Sequence, residues 1–270
     1  LSTKTGINLS VGRYDGSTPY ALGMRVTSCK VKKLPLHNTD EAGTATRQVD
    51  QTSTGFYYEI QLRGKVKRFT DYITTYCMIT AEGSLPSHNI YVDDGIESRG
   101  FTGCYVDKCN ISGRQNGVVM ADITIKALAD EEKDLTITEA TEAPISKAGV
   151  STISFGGAAK TKWTTWNFAV DNHVQVVATG NGVAATEIYA KEATYSGQVQ
   201  FVKTAGFVFG FDTNVTNSTV VYTIVDNQSS PVTKTFTFAS AKFESNEYGP
   251  EELDLNYETV TWRGYSLVIS

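Results

Sequence analysis

The chain has 270 residues, of which 40% are hydrophobic and 20% charged, and its formal net charge is −5. This balance excludes global disorder, and the acidic charge excludes a global attraction to nucleic acid or an anionic membrane. No run of ~20 apolar residues occurs, so a membrane-spanning helix is not expected. The 14 Tyr and 12 Phe stand among many Thr and Val, with only 6 Pro. Aromatic and β-branched enrichment favours strands over helices. The length suits one large β domain or two of ordinary size, of which two is the favoured reading.

Residues 1–20 are rich in Gly, Ser, Thr and Asp and lack an apolar core of signal-peptide length. They read as an extended arm that orders against a neighbour. A first strand is expected over 24–34. Residues 35–54, PLHNTDEAGTATRQVDQTST, show no apolar periodicity. They read as a long surface loop, mobile or ordering on another subunit. Over 56–67, Phe56, Tyr58, Ile60, Leu62, Gly64 and Val66 alternate with Tyr57, Glu59, Gln61, Arg63, Lys65 and Lys67. That is a strand with one apolar and one solvated face. No aromatic platform interleaves the basic row, as a nucleic-acid groove would require.

The period then changes. Phe69, Tyr72, Ile73, Tyr76, Cys77 and Thr80 recur at spacings of three and four. This predicts an α-helix over 69–81 packed on an open sheet face, with Thr70 or Asp71 as its cap and Gly83 past its end. A strand over 89–92 leads into Asp93, Asp94, Gly95 and Glu97. These read as a turn of solvated acids, because the twelve-residue calcium-loop pattern is absent.

Residues 103–127 read as a long hairpin at the centre of a sheet. Strand-like runs at 104–111 and 118–127 flank a connector at 112–117 that holds Gly113, Asn116 and Gly117. In the returning run, Val119, Ala121, Ile123, Ile125 and Ala127 share one face; Met120, Asp122, Thr124 and Lys126 share the other. The four cysteines, Cys29, Cys77, Cys104 and Cys109, read as reduced thiols. Cys104 and Cys109, five apart on one strand, are expected on opposite faces.

Charge rises and periodicity fails over 128–149, which places a domain boundary within 128–152. The expected division is an arm at 1–20, a β domain at 21–130, a linker at 131–151 and a second β domain at 152–270. In the second half, Phe168, Val170, Asn172, Val174 and Val176 line one side of a run over 163–177. Further strands are expected at 198–202, at 220–225 and 233–238 around a turn at 226–231, and at 255–269 after an acidic loop at 244–254. Phe207, Phe209 and Phe211 alternate over 206–212. The two halves match in length and strand density, which invites the hypothesis of a duplicated domain.

No catalytic constellation is visible. His37, His88 and His173 lack metal-spaced partners, and the chain contains no HExxH, CxxC, GxSxG or P-loop motif. No enzymatic activity, metal or cofactor is expected.

Two stretches carry a family resemblance. The first is 101–127, with Gly103-Cys104, Val106-Asp107, Ile111-Ser112, Gly117-Val118 and Ala121-Asp122-Ile123. The second runs from Phe168-Ala169-Val170-Asp171-Asn172 through Glu187-Ile188 to Ser196-Gly197-Gln198-Val199. The late run 236–267 fits the same order. Together they resemble the tail tube proteins of long-tailed phages and related viruses. The resemblance implies two tandem β-sandwich or half-barrel domains, the first flanked by the helix at 69–81. Sheets would join edge to edge into rings, as trimers with pseudo-sixfold symmetry in preference to hexamers. Rings would stack into a tube in the virion tail, assembled in the host cytoplasm. DNA would pass through without sequence-specific binding. Tape measure, tip and terminator proteins would be further partners, and no membrane is implied. On this resemblance Leu36, His37, Asp40, Glu41, Arg47 and Asp50 would make contacts between subunits or rings. Arg63, Lys65, Lys67, Lys108, Asp122 and Lys126 would face the channel or a subunit seam. The alternative is a receptor- or carbohydrate-binding β-sandwich of a virion or cell surface that displays Trp163, Trp166 and Trp262. Against it, those tryptophans read equally as core or interface anchors.

Overall fold

Alternation in sequence becomes alternation in burial in the computed structural model, which describes residues 9–38, 52–69, 72–79, 85–139, 141–146, 150–160, 162–177, 187–202, 218–249 and 257–270. The first half contributes β1 (Ser10–Asp15), β2 (Thr18–Ala21), β3 (Met24–Asn38), β4 (Thr52–Val66), β5 (His88–Asp93), β6 (Ser98–Arg114), β7 (Met120–Ala127) and β8 (Ala129–Glu132). The second contributes β9 (Val150–Phe155), β10 (Ala158–Lys160), β11 (Trp163–Asp171), β12 (Gln175–Val177), β13 (Glu187–Tyr189), β14 (Thr194–Val202), β15 (Ser218–Val225), β16 (Thr233–Gly249), β17 (Tyr257–Gly264) and β18 (Ser266–Ile269). The protein is mainly β, as expected, and all strand pairings among the described residues are antiparallel. One large sheet follows the path β10-β9-β15-β16-β17-β14-β11-β6-β5-β1-β2 and stays open rather than closing into a barrel.

The central hairpin forms as the sequence indicates. Residues 105–112 of β6 pair with β7, with Ile111 opposite Ala121 and Cys109 opposite Ile123. Ala121, Ile123, Ile125 and Ala127 are buried; Met120, Asp122, Thr124 and Lys126 are half-buried. β6 is long because it serves several partners. Its first part pairs with β5 and β8, its last part with β7 and β11. Two devices bend it between these tasks: Gly103, at φ +60°, and a bulge at Asp107.

The pairing scheme of the first half recurs in the second. β1 pairs with β2 and β5, β5 with β6, and β6 with β7 and β8; β9 pairs with β10 and β15, β15 with β16, and β16 with β17 and β18. Likewise β4 pairs with β3 and β7, as β14 pairs with β11 and β17. Local irregularities recur at matching places. Ser240 takes the left-handed conformation of Gly103, at φ +51°, and a bulge at Glu244 matches that at Asp107. Bulges at Thr27 and Thr164 match too, and each threonine hydroxyl bonds a carbonyl across the pair, Thr27 to Arg63 at 3.1 Å and Thr164 to Gln200 at 3.3 Å. Among the described residues two pairings have no counterpart in this scheme: β12 with β13, a separate two-stranded sheet, and β6 with β11, which joins the halves.

The main buried cluster draws on both halves, and so does a smaller one of Leu85, Val174 and Ile188. In the second half the main cluster is aromatic: the Phe168 ring lies 5.0 Å from Tyr222, 5.1 Å from Phe236 and 5.3 Å from Phe238, centre to centre. Phe69 of the first half packs against Phe236 at 5.1 Å. Gly197 leaves room for Trp262, because a Cβ there would sit 2.4 Å from the indole.

The structure corrects several expectations. Instead of an α-helix over 69–81, the described residues hold a five-residue π-type turn, Tyr72–Tyr76. The apolar stripe was a true core signal, since Phe69, Tyr72, Ile73 and Cys77 are buried. The β-branched run Ile73-Thr74-Thr75 opposes a longer helix. Residues 10–20, expected within an arm, form with Ala21 the β1–β2 hairpin around Gly16 at φ +58°, with Val11 and Tyr14 buried; residues 1–8 lie outside the described residues. Of the loop expected over 35–54, residues 35–38 and 52–54 are paired strand, with Leu36 opposite Gly55 and Asn38 opposite Thr52; residues 39–51 lie outside the described residues. Pro35 lies on β3, which pairs with β4 alone among the described residues, and such edge strands are where proline is tolerated. Residues 244–249, expected as an acidic loop, continue β16. Cys104 and Cys109 do not face opposite ways; both are fully buried, because the Asp107 bulge resets the alternation between them.

Replacing Phe168 by alanine removes the ring at the centre of the aromatic cluster. Urea unfolding of the variant is expected to show a loss of about 3–5 kcal/mol with the far-UV spectrum retained; a loss below about 1 kcal/mol would contradict the packing described.

Candidate assembly interface

The β6–β11 seam is built like a piece of core with a polar clasp at one end. Phe168 pairs with Ile111 and Val170 with Cys109, all four fully buried. Lys108 and Asp171 close the ladder as an ion pair at 3.0 Å. The chain then turns at His173, whose φ of +46° is uncommon for a non-glycine residue. The turn places Asn172 inside the protein. Its amide N–H donates to the Asp107 carbonyl at 2.7 Å, and its side-chain amide donates to Val106 O at 2.8 Å and Cys77 O at 3.1 Å. The Ile79 amide donates to Asn172 Oδ1 at 3.4 Å.

Asp107 completes the clasp. Because it sits on the bulge, its carboxylate accepts from the Val174 amide at 2.8 Å and pairs with Lys126 Nζ at 3.1 Å. Lys126 in turn donates to Val174 O at 2.6 Å. The Asn172 amide and side chain and both backbone polar groups of Val174 therefore meet first-half residues, while the Asn172 carbonyl accepts from the Lys191 amide at 3.3 Å. This matters because an unmet buried polar group costs about 1–3 kcal/mol.

The charged groups report on the seam. Burial works against the Asp171 carboxylate, but the Lys108 hydrogen bond, the His173 amide and the neighbouring positive charges outweigh it, so its pKa lies below the ordinary value. The hydrogen bond to Asp171, then its charge, raises Lys108. Elsewhere, burial holds the His88 imidazole down to about 4.

The residues expected to face a channel or seam fall into three groups. Lys108 and Lys126 meet at the β6–β11 seam. Arg63, exposed, and Asp122, half-buried, opposite one another on β4 and β7, form an ion pair at 3.4 Å. Lys65 is exposed, while Lys67 lies just past β4 and is buried, with Glu139 at 4.0 Å. Leu36 is half-buried on β3, and His37 pairs with Ser53 in the backbone register. Asp40, Glu41, Arg47, Asp50 and the run 206–212 lie outside the described residues. Trp163, Trp166 and Trp262 are all buried, so they form no platform for a glycan.

Sequence reasoning missed the roles of Asp107, Asp171 and Asn172, though all three stood within the motifs. A polar Asn among strand positions with an apolar face was the available signal. It also missed the counterpart of the clasp in the second half. Arg263 and Glu244, which match Lys126 and Asp107, form the same ion pair at 3.1 Å. The first pair is 18% and 10% exposed, the second 60% and 43%. The first is covered by 172–174; no described segment covers the second. At the other end, β3 pairs with β4 alone among the described residues, and it presents Lys30, Lys32 and Lys33 exposed. Lys32 approaches Glu59 at 3.5 Å, and the Lys33 ammonium lies 3.6 Å from the centre of the Phe56 ring.

No protein-family model matches this chain, and no curated protein matches it.

Two outcomes follow from the clasp. Asn172→Ala leaves the Val106 and Cys77 carbonyls without this donor, and urea unfolding is expected to show a loss of about 1–3 kcal/mol; unchanged stability would contradict the clasp. The pH dependence has two windows. His88, depressed when folded, contributes stability that is lost as pH falls from about 6.5 toward 4. Asp171, also depressed, contributes stability present above pH about 3.9 and lost as pH falls through its lower folded value. In stability measurements against pH, Asp171→Asn is expected to flatten the lower window and leave the upper one. Identical profiles for the two proteins would contradict the assignment.

Proposed function

We propose that this chain is a structural, self-assembling subunit of a viral tail tube, with no catalytic role. The observation that carries the reading is the repeated pairing scheme with one internal seam. A chain made of two like units, joined head to tail through unlike edges, has at its ends the same two unlike edges. Such heterologous contacts generate rings if the rotation closes and filaments if it does not. The resemblance of 101–127 and 168–199 to tail tube proteins favours closure into stacked rings.

In this reading the units are tandem tube-type β domains, the first over 21–130 with the 10–21 hairpin added, the second over 152–270. Residues 131–151 link them. Three chains supply six units, giving a pseudo-sixfold ring. Rings stack into a tube that delivers the genome, in a virion tail assembled in the host cytoplasm. Tape measure, tip and terminator proteins meet its ends and lumen. DNA passes without sequence-specific contacts, and the acidic charge of the chain limits phosphate attraction that would slow its passage.

Electron microscopy of the purified protein over a concentration series tests this. Rings or tubes with an axial channel are the expected result. A protein that stays monomeric at high concentration, with or without glycan binding, would contradict it.

A further inference from the structure

We infer that the outer edge of β3 docks on the upper part of β16 of a second copy of this chain, in a register fixed by the β6–β11 seam. The inference rests on the assembly reading above and adds the partner surface and its residue pairing. Its template lies inside the molecule. β11 holds the place of β3, since each pairs with the strand that follows it through a threonine-bearing bulge. β16 holds the place of β6, since each bends at a left-handed residue and then bulges at an acid, Glu244 or Asp107.

The bulges set the count. Measured from Thr27 and Thr164, Lys32 holds the place of Ala169. Measured from Asp107 and Glu244, Glu247 holds the place of Asn110. Ala169 lies opposite Asn110 in the seam, so Lys32 of one copy meets Glu247 of the next. The neighbouring pair is Val31 with Tyr248, in the places of Phe168 and Ile111. Residues 35–37 of the incoming chain take the place of 172–174, which brings them over the exposed Glu244–Arg263 pair.

Three independent observations fit this occupant. Val31 is 42% exposed, whereas Phe168, its counterpart in the completed seam, is fully buried. The Glu244–Arg263 pair is formed but uncovered, whereas Asp107–Lys126 is formed and covered. The edges carry opposite charge, with Lys30, Lys32 and Lys33 on β3 and Glu244 and Glu247 on β16. Lysines on an exposed edge discourage pairing of β3 with another β3, because like charges directly opposite are destabilising. An acidic edge removes that repulsion, so the same lysines select β16.

Cysteines at the paired positions test the register. Directly opposed residues of an antiparallel pair have Cα atoms ~4.5–5.5 Å apart, within disulfide range. Lys32→Cys with Glu247→Cys in one chain, assembled and then mildly oxidised, is expected to give a ladder of covalent oligomers on non-reducing gels that collapses with reductant. Each single variant and the offset pair Lys30→Cys with Glu247→Cys are expected to stay at the single-chain band. Rings or tubes without a ladder, or a ladder from the offset pair alone, would overturn the register while leaving the assembly reading standing. Absence of any assembly by the unmutated protein would overturn both. A charge exchange covers the case in which the cysteine variant fails to fold. Lys32→Glu is expected to abolish assembly and added Glu247→Lys to restore it; no restoration in a folded double variant would overturn the pairing.

Discussion

The antiparallel seam between β6 and β11 is the constraint on which the rest of the structure depends. It is the pairing that makes one sheet out of two series of strands. It requires β6 to offer both of its edges over the same stretch, to β7 on one side and β11 on the other. It also requires that stretch to be turned away from the part of β6 that pairs with β5 and β8. Gly103 and the Asp107 bulge supply the turn. The bulge has a second effect: it shifts the side-chain parity, so that Cys109 and Ile111 continue the buried face begun by Cys104 and Val106. It also frees the Asp107 carboxylate to hold Val174 and Lys126. Bend, core continuity and clasp thus arise from one inserted residue.

A sheet organised this way cannot hide all of its edges. An open edge of fifteen residues, the length of β3, is a hazard in a protein meant to remain single. Natural edges are blunted by charge, proline or bulges, and β3 carries all three in Lys30, Lys32, Lys33, Pro35 and the Thr27 bulge. The same features serve a polymer if the partner edge is acidic. The proposed assembly resolves the edge by occupying it, and its charge pattern directs the growing sheet toward one partner in place of random stacking.

Much of the fold was legible. The alternation over 56–66 and 119–127 specified two strands and their buried faces, and the apolar stripe from Phe69 to Cys77 specified core. Three kinds of information were not legible. Bulges leave no mark on a period-two pattern except an apparent change of phase, which is why simple alternation puts Cys104 and Cys109 on opposite faces. Strand ends in polar sequence, at 35–38 and 244–249, are fixed by cross-strand bonds to Gly55, Ser53 and Thr52, and to β17, which local composition does not record. The seam residues were visible as motif members, yet their function depends on a contact between positions more than sixty residues apart. Asn172 is informative only when Val106 and Cys77 are known to lie beside it.

The central claim is that the seam inside the chain is repeated between chains. A reconstruction of the assembled protein at a resolution that separates strands tests it most directly. The account predicts an uninterrupted sheet around the ring, with six similar seams that alternate between β6–β11 within a chain and β16–β3 between chains. A ring whose chains meet through other surfaces, leaving the outer edge of β3 open to solvent, would contradict it.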